Sequence, residues 1–294
     1  MKKIKNILLF VLLIGVAYGC DDYDVDPVID QSAKPVVTAT ISSSSISESD
    51  SPTVTITINM DKPIKTTTTF IATQVGGSAS ANDFSVGSAV VPAYQTSTTM
   101  EVNINDDIIV EDPESVELEI TPAAVPDLYE VLGTPTVSLT IENSTSDDFV
   151  FKMDWDGTYF DDGGGEHHFC DYDLDLEIYS ADFNDLLAAS YSSCPEEIRL
   201  SPGDLPDGDY WLVPSFWEAT GVPPASKQNI PAMVTFAKPG VALENVDLSN
   251  VWNTEDGGQQ DGNSDAYLVK YILTISGSDY TVTDSDSGTV VFQN

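Results

Sequence analysis

The sequence predicts an all-β protein built as two antiparallel β-sandwich domains in series, and three observations carry that prediction. Apolar and polar residues alternate over short runs, and no stretch has a helical period. Gly, Pro, Asn and Asp interrupt these runs at intervals of about ten residues, the spacing of an immunoglobulin-like or jelly-roll-like sandwich. The aromatic residues are unevenly placed: all four tryptophans follow the polar stretch Ser144 to Asp148, so the two halves are different units and not a repeat.

Residues 1–19 begin with Lys2, Lys3 and Lys5 and continue with an apolar run from Ile7 to Ala17. That run is too short for a membrane span, which needs about twenty apolar residues, and reads as a secretory signal. Tyr18-Gly19-Cys20 resembles the lipobox of bacterial lipoproteins, which implies cleavage and lipidation at Cys20. Asp21, Asp22, Asp24 and Asp26 directly behind it resemble the surface-export signal of Bacteroidetes lipoproteins. That resemblance implies an outer-membrane lipoprotein exposed at the cell surface. Residues 20–34, acidic and interrupted by Pro27, read as a tether.

Removal of the signal takes away three of 11 basic residues and leaves 48 acidic ones, so the net charge moves from −37 to −40. Such a chain is repelled by nucleic acid and by anionic lipid surfaces, which argues against a nucleic-acid partner. Charge of this size also accompanies disorder, but 41% hydrophobic content in regular strand patterns argues for folded units.

The first unit spans residues 35–146. Thr53 to Asn59 alternates with Val54, Ile56 and Ile58 on one face, Lys65 to Ala72 and Ala89 to Val91 follow, and Val137 to Ile141 closes the unit of about seven strands. Its organising stretch is Ile104 to Leu118. Met100, Val102 and Ile104 alternate before it and Val116, Leu118 and Ile120 after it, and the turn between holds Asp106, Asp107, Glu111, Asp112 and Glu114. Five carboxylates in nine positions repel one another by about 1 to 4 kcal/mol per close pair unless a cation lies between them. Calcium suits such a turn, since it takes six to eight oxygen ligands.

Ser45-Ile46-Ser47-Glu48-Ser49-Asp50, Ser78 to Phe84, Asn105-Asp106-Asp107 with Glu111 and Glu114, and the last strand into Glu142 occur in an order that resembles the Calx-beta family over residues 36–143. The resemblance implies a calcium-binding sandwich with ligands at Glu48, Asp83, Asp106, Asp107, Glu111 and Glu142, and Glu114 as the second glutamate of the loop. The chain departs from the family at its last element, where Glu142-Asn143-Ser144 stands in place of an acidic triplet. Fewer charged ligands imply weaker binding in a class of module already near 0.1 to 1 mM.

The second unit spans residues 149–294. Strands are expected at Tyr172 to Tyr179, with Asp173, Asp175 and Glu177 outward, at Glu197 to Leu200, Asp209 to Val213, Ala232 to Phe236, Tyr267 to Ile275, Tyr280 to Thr283 and Thr289 to Phe292. Cys170 and Cys194 are the remaining cysteines of an exported chain, which favours a disulfide between them over two packed thiols. Asp173 to Tyr179, Leu187 to Ser190, Glu196-Glu197-Ile198 and Leu205 to Leu212 resemble the bacterial pre-peptidase C-terminal domain over residues 155–216. That resemblance implies a binding or accessory role.

Catalytic patterns are weak. His167 and His168 are the only histidines, they alternate faces on a strand, and neither an HExxH nor a GxSxG pattern accompanies them. Asp261 to Asp265 has calcium-loop spacing at its start but Ala266 and Ile272 where Gly and Glu are required, so it reads as a turn. The glycine-rich loop around Gly163-Gly164-Gly165 reads as a solvated acidic turn. Trp155, Tyr159, Tyr210, Trp211, Phe216, Trp217 and Trp252 are candidates for either a sugar-binding platform or core packing, with Trp211 and Trp217 the better ligand candidates. The expected function is therefore non-enzymatic: a calcium-binding surface lipoprotein acting in interaction or adhesion, with a protein or a glycan as partner. The alternatives are a carbohydrate-binding lipoprotein and an accessory module of a secreted enzyme system.

Overall fold

The computed structural model describes residues 34–49, 51–123, 131–267 and 269–294. The segment expected to be a signal, Cys20, most of the expected tether and Asp50 lie outside the described residues. The chain is all-β, and its only helical elements among the described residues are short 3-10 turns.

Nine strands occupy residues 37–142: β1 Val37–Ile41, β2 Ser45–Ser47, β3 Thr53–Met60, β4 Thr68–Gly77, β5 Phe84–Val86, β6 Ser88–Val91, β7 Ser97–Ile104, β8 Glu114–Pro122 and β9 Thr136–Glu142. They form a sheet of order β1-β3-β7-β5 and a second of order β2-β9-β8-β4-β6. All pairings are antiparallel except β2 with β9, where Ile46 pairs with Ile141 in parallel. The alternation seen in the sequence sets which face turns inward. Val54, Ile56 and Ile58 of β3, Met100, Val102 and Ile104 of β7, Val116, Leu118 and Ile120 of β8, and Val137, Leu139 and Ile141 of β9 are all buried in one cluster. Burial of each such aliphatic side chain contributes about 1.5 to 3 kcal/mol.

β7 and β8 belong to different sheets. The acidic stretch between them is consequently a crossover that bridges the two sheets at one end of the sandwich, not a hairpin turn. At the C-terminal end of β4, beside the start of β8, Gly77 has φ +101° and a Cβ there would stand 2.1 Å from the Ser115 carbonyl oxygen, so β4 approaches β8 more closely than a side chain permits.

The second unit comprises β10 Phe149–Asp154, β11 Thr158–Phe160, β12 Glu166–His168, β13 Asp173–Ser180, β14 Leu186–Ser190, β15 Glu196–Leu200, β16 Gly208–Glu218, β17 Met233–Lys238, β18 Ala242–Asp247, β19 Tyr271–Ser276, β20 Asp279–Asp284 and β21 Val290–Gln293. Sheets of order β15-β10-β17-β18 and β14-β13-β16-β19-β20-β21 face one another, and β11 pairs with β12 in a two-stranded ribbon. Between the sheets lies an aromatic core in which Phe149 and Phe151 stack on Phe236, and Phe236 meets Tyr271 edge-on with centroids 5.0 Å apart. Trp155, Tyr159, Phe216 and Trp252 belong to this core, which removes them from any sugar platform.

Two expectations for this unit are corrected. Tyr267 does not open a strand; it ends the 3-10 turn Ser264–Tyr267, and β19 begins at Tyr271. Asp175 and Glu177 do not face solvent: they are 4% and 7% exposed. Alternation did place them on the face of β13 away from the core, but Tyr191, which follows β14, covers that face with its hydroxyl on Glu177. The disulfide Cys170–Cys194 is formed and ties the start of β13 to that same loop.

Ser144 to Asp148 is ordered on the second unit and is not a free linker. Ser146 N donates to the Pro239 carbonyl, Lys238 Nζ pairs with Asp147 Oδ1 at 2.9 Å, and Tyr280 Oη donates to the Asp147 carbonyl.

Candidate functional site

Carboxylates from three separate stretches meet at one end of the first unit, around the crossover 105–113. Glu48 arrives on the loop after β2, Asp83 directly before β5, Asp106, Asp107 and Glu111 on the crossover itself, and Glu114 at the start of β8. One oxygen each from Asp83, Asp107 and Glu111 lie within 4.8 Å of one another. Glu48 and Asp83 are 3% and 5% exposed, whereas Asp107 and Glu111 are only partly covered, so the cluster has a buried back and an open front.

Local hydrogen bonds hold this arrangement. Ser80 N donates to Asp83 Oδ2, and Ile109 N donates to Asp107 Oδ1 at 2.7 Å, each an aspartate-capped turn. Asn143 Nδ2 donates to the Glu111 carbonyl at 3.1 Å, and Ser144 donates from Oγ to Asp106 Oδ1 at 2.6 Å and from N to Glu48 Oε2 at 3.4 Å. The segment that departs from the family pattern thus reaches the cluster as donors.

The electrostatics match a site short of positive charge. Burial raises the Glu48 carboxyl above its usual range against a hydrogen bond from Ser144, and Asp107, Glu111 and Asp106 raise it further. Burial also raises Glu111, helped by Asp107 and Asp83. Glu114 is pushed up to about 7, first by burial, then by a hydrogen bond shared with Asp83, then by the charges of Asp83, Glu111 and Glu48. Burial opposes ionisation of Asp83 too, but donation from Ser80 and from Glu114 leaves its carboxyl below the usual range. Oε2 of Glu114 is buried and meets no donor. A proton or a cation is what such an oxygen facing a second carboxylate requires. The all-oxygen donor set and this orphaned oxygen fit a hard divalent cation.

Glu142 is not among the residues whose oxygens converge. Its carboxylate accepts from Ser45 Oγ at 3.1 Å and its carbonyl from Glu48 N, so only its main chain supports the cluster. Strand alternation explains this, since Ile141 points into the core and Glu142 therefore points out.

No family model matches the chain, and no curated relative matches it. Among solved structures it is similar to a two-domain protein of unknown function from Bacteroides fragilis NCTC 9343, with 8% identity, 57% of this chain and 88% of that chain covered, and a TM-score of 0.31. It is similar to the calcium binding domain CBD12 of CALX1.1, with 11% identity over 60% of this chain and 80% of that one and a TM-score of 0.28. It is also similar to BcpA, the major pilin subunit of Bacillus cereus, with 10% identity, coverage of 74% and 67%, and a TM-score of 0.23. Superpositions this loose leave function to be argued from the chain's own residues.

In the second unit, His167 Nε2 lies 3.1 Å from Asp161 Oδ2 and its ring stacks on Tyr159, while exposed His168 lies 3.4 Å from Asp156. The two rings have separate partners and do not converge. Asp261 Oδ2 accepts from Gly258 N and Ala219 N, as a turn aspartate does. Trp211 spends its indole N–H on the Ala181 carbonyl and packs edge-on against Phe183. Trp217 differs, because it lines a cavity of about 300 Å³ together with Tyr191, Ser192, Asp173 and Asp175. Beyond the acidic alternation of β13, nothing in the chain's order points to this cavity, since its opposite wall comes from the loop before Cys194.

Proposed function

We propose that this chain is a non-enzymatic surface lipoprotein of the cell envelope, anchored through Cys20, whose first sandwich binds calcium and acts in surface interaction or adhesion. The observation that supports the reading is the convergence of Asp83, Asp107 and Glu111 oxygens within 4.8 Å beside buried Glu48. Those three, with Glu114 and Asp106 adjoining, would hold the ion. A bound divalent cation would replace mutual repulsion by attraction and fix the crossover on which the end of the sandwich depends. An adhesion or interaction surface benefits from such fixed loops, since rigid loops lose less entropy on binding.

Calorimetric titration of calcium into the chelator-treated protein tests the reading. Heat is expected from the parent and should be lost in the Asp83→Asn and Asp106→Asn/Asp107→Asn variants. An athermal parent whose melting temperature also ignores calcium at fixed ionic strength would refute it. For the anchor, Cys20→Ala should move the chain from the membrane fraction to the soluble fraction, and an unchanged distribution would remove the lipid from the proposal.

A further inference from the structure

We propose that the cavity between Trp217, Tyr191 and Asp175 is a binding site for a small organic ammonium group carried on an apolar or cyclic carbon frame. The site is separate from the acidic end of the first unit, and its walls come from three places in the second. β13 supplies Asp173 and Asp175, β16 supplies Trp217, and the loop ahead of Cys194 supplies Tyr191 and Ser192.

Asp175 decides the ligand class. It is 4% exposed, its Oδ1 has no hydrogen-bond partner, and it lines the cavity. Its neighbours behave differently. Glu177 accepts from Tyr179 Oη at 2.8 Å and from Tyr191 Oη at 2.9 Å, and Glu196, wholly buried, accepts from Ser190 Oγ and Ser193 N. Those two carboxylates have their donors within the fold, and Asp175 is the one whose partner is missing. A buried carboxylate oxygen without a donor costs free energy in the folded state, so a ligand that supplies the donor recovers it.

The charges around the cavity select a cation. Burial raises the Asp175 carboxyl to about 7, and Asp173, Glu196 and Glu177 add to the effect, so every charge acting on it is negative. Asp173 is itself raised, by burial and then by Glu218 across the strand pair. An ammonium ion offers up to three donors and a positive charge to this wall. The aromatic rings distinguish it from a bare metal ion: Trp and Tyr faces attract an organic cation and shed water from its carbon frame, whereas calcium asks for more oxygens than this wall presents. A cavity of about 300 Å³ is at the small end of the range for ligand pockets, which matches a compact amine, an amino sugar or a single lysine side chain. Beside it, a second cavity of about 280 Å³ shares Asp173 and Ser192 and carries the Cys170–Cys194 disulfide in its wall, so the loop that closes the site is covalently pinned.

The test uses the full mature chain in chelator, which keeps the outcome independent of calcium at the first unit. Cadaverine and D-glucosamine are titrated against their neutral counterparts pentanediol and D-glucose, with calorimetry and tryptophan fluorescence as readouts. At least one ammonium probe should bind saturably, with its neutral counterpart at least about tenfold weaker. Binding by both probes marks the site as a reader of ammonium groups in general; cadaverine alone marks an alkyl amine or lysine side chain, and glucosamine alone an amino sugar. Asp175→Asn keeps the shape and loses no internal hydrogen bond, so it should fold and should weaken binding by about tenfold or more; Trp217→Ala should abolish the fluorescence change. Because a mature chain of net charge −40 collects cations loosely anywhere on its surface, unchanged binding in Asp175→Asn would overturn the proposal. Equal binding of the neutral probes, displacement of the ammonium probe by calcium, or failure of both ammonium probes would overturn it as well.

Discussion

At the scale of single residues, two carboxyl groups are held in the folded state at a cost, and the sign of that cost is set by their raised pKa values. Glu114 goes from 4.5 in the unfolded chain to about 7 in the folded one. Below 4.5 it is protonated in both states; between 4.5 and 7 only the folded state keeps the proton, so stability falls as pH rises through this window and levels off above it. The loss is roughly 1 to 2 kcal/mol once screening by water is allowed for. In chelator the first unit should therefore melt lower at pH 8 than at pH 5, Glu114→Gln should flatten that dependence, and calcium should restore the melting temperature at pH 8. Asp175 moves from 3.8 to about 7 and follows the same sign, with a larger loss on the order of 3 kcal/mol because its burial leaves little water to screen it. Asp175→Asn should consequently raise the melting temperature of the ligand-free protein at pH 8 while it removes amine binding. A residue that costs stability and whose removal costs a ligand is acting for the ligand. Melting curves at the two pH values check both statements, and a destabilised Asp175→Asn protein would contradict the second.

At the scale of elements, the strands were legible in the sequence wherever one face meets the core. Val54, Ile56 and Ile58 of β3 and Leu174, Leu176 and Ile178 of β13 are buried as their period of two requires. What could not be read was which sheet each strand joins. Ile104 and Val116 flank one short acidic stretch and are both apolar, yet they belong to opposite sheets, and only the pairing of β8 with β9 and β4 reveals it. The acidic residues were legible as a group because Asp106, Asp107, Glu111 and Glu114 are close in the chain, whereas the cavity at Trp217 was not, since its residues come from positions 173 to 217 and gain meaning only when the loop before Cys194 folds back. The disulfide is the element that secures this return. With a sequence separation of 24, it stabilises by about 3 kcal/mol on a chain-entropy basis. Reduction, or the Cys170→Ser/Cys194→Ser pair, should lower the melting temperature of the second unit and weaken cadaverine or glucosamine binding, while calcium titration of the first unit stays unchanged. Loss of calcium binding on reduction would show that the two sites are not independent.

At the scale of the molecule, one short segment touches both the acidic end of the first unit and the second unit. Ser144 donates to Asp106 and Glu48 on one side, and on the other its carbonyl oxygen stands 1.9 Å from where a Cβ on Gly240 would be. Gly240 has φ +66° at the turn between β17 and β18, so it is glycine for two reasons, backbone conformation and contact. Gly240→Ala should push the turn away from Ser144, enlarge the radius of gyration in solution scattering and leave the two cores folded. An unaltered scattering profile would mean that the Asp147 contacts to Lys238 and Tyr280 suffice to hold the junction.

The position of Ser144 gives the proposed ion a mechanical meaning. If the proposed anchor at Cys20 holds the chain to a membrane, tension on a partner at the far unit must pass through residues 144–148. With the cation in place, Asp106 and Glu48 are fixed and Ser144 is clamped, so the molecule transmits load as a strut. Without it, the same hydrogen bonds end on repelling carboxylates and the joint becomes compliant. Extracellular calcium would then set the stiffness of the whole projection, and single-molecule pulling should find the junction yielding at lower force in chelator than in calcium.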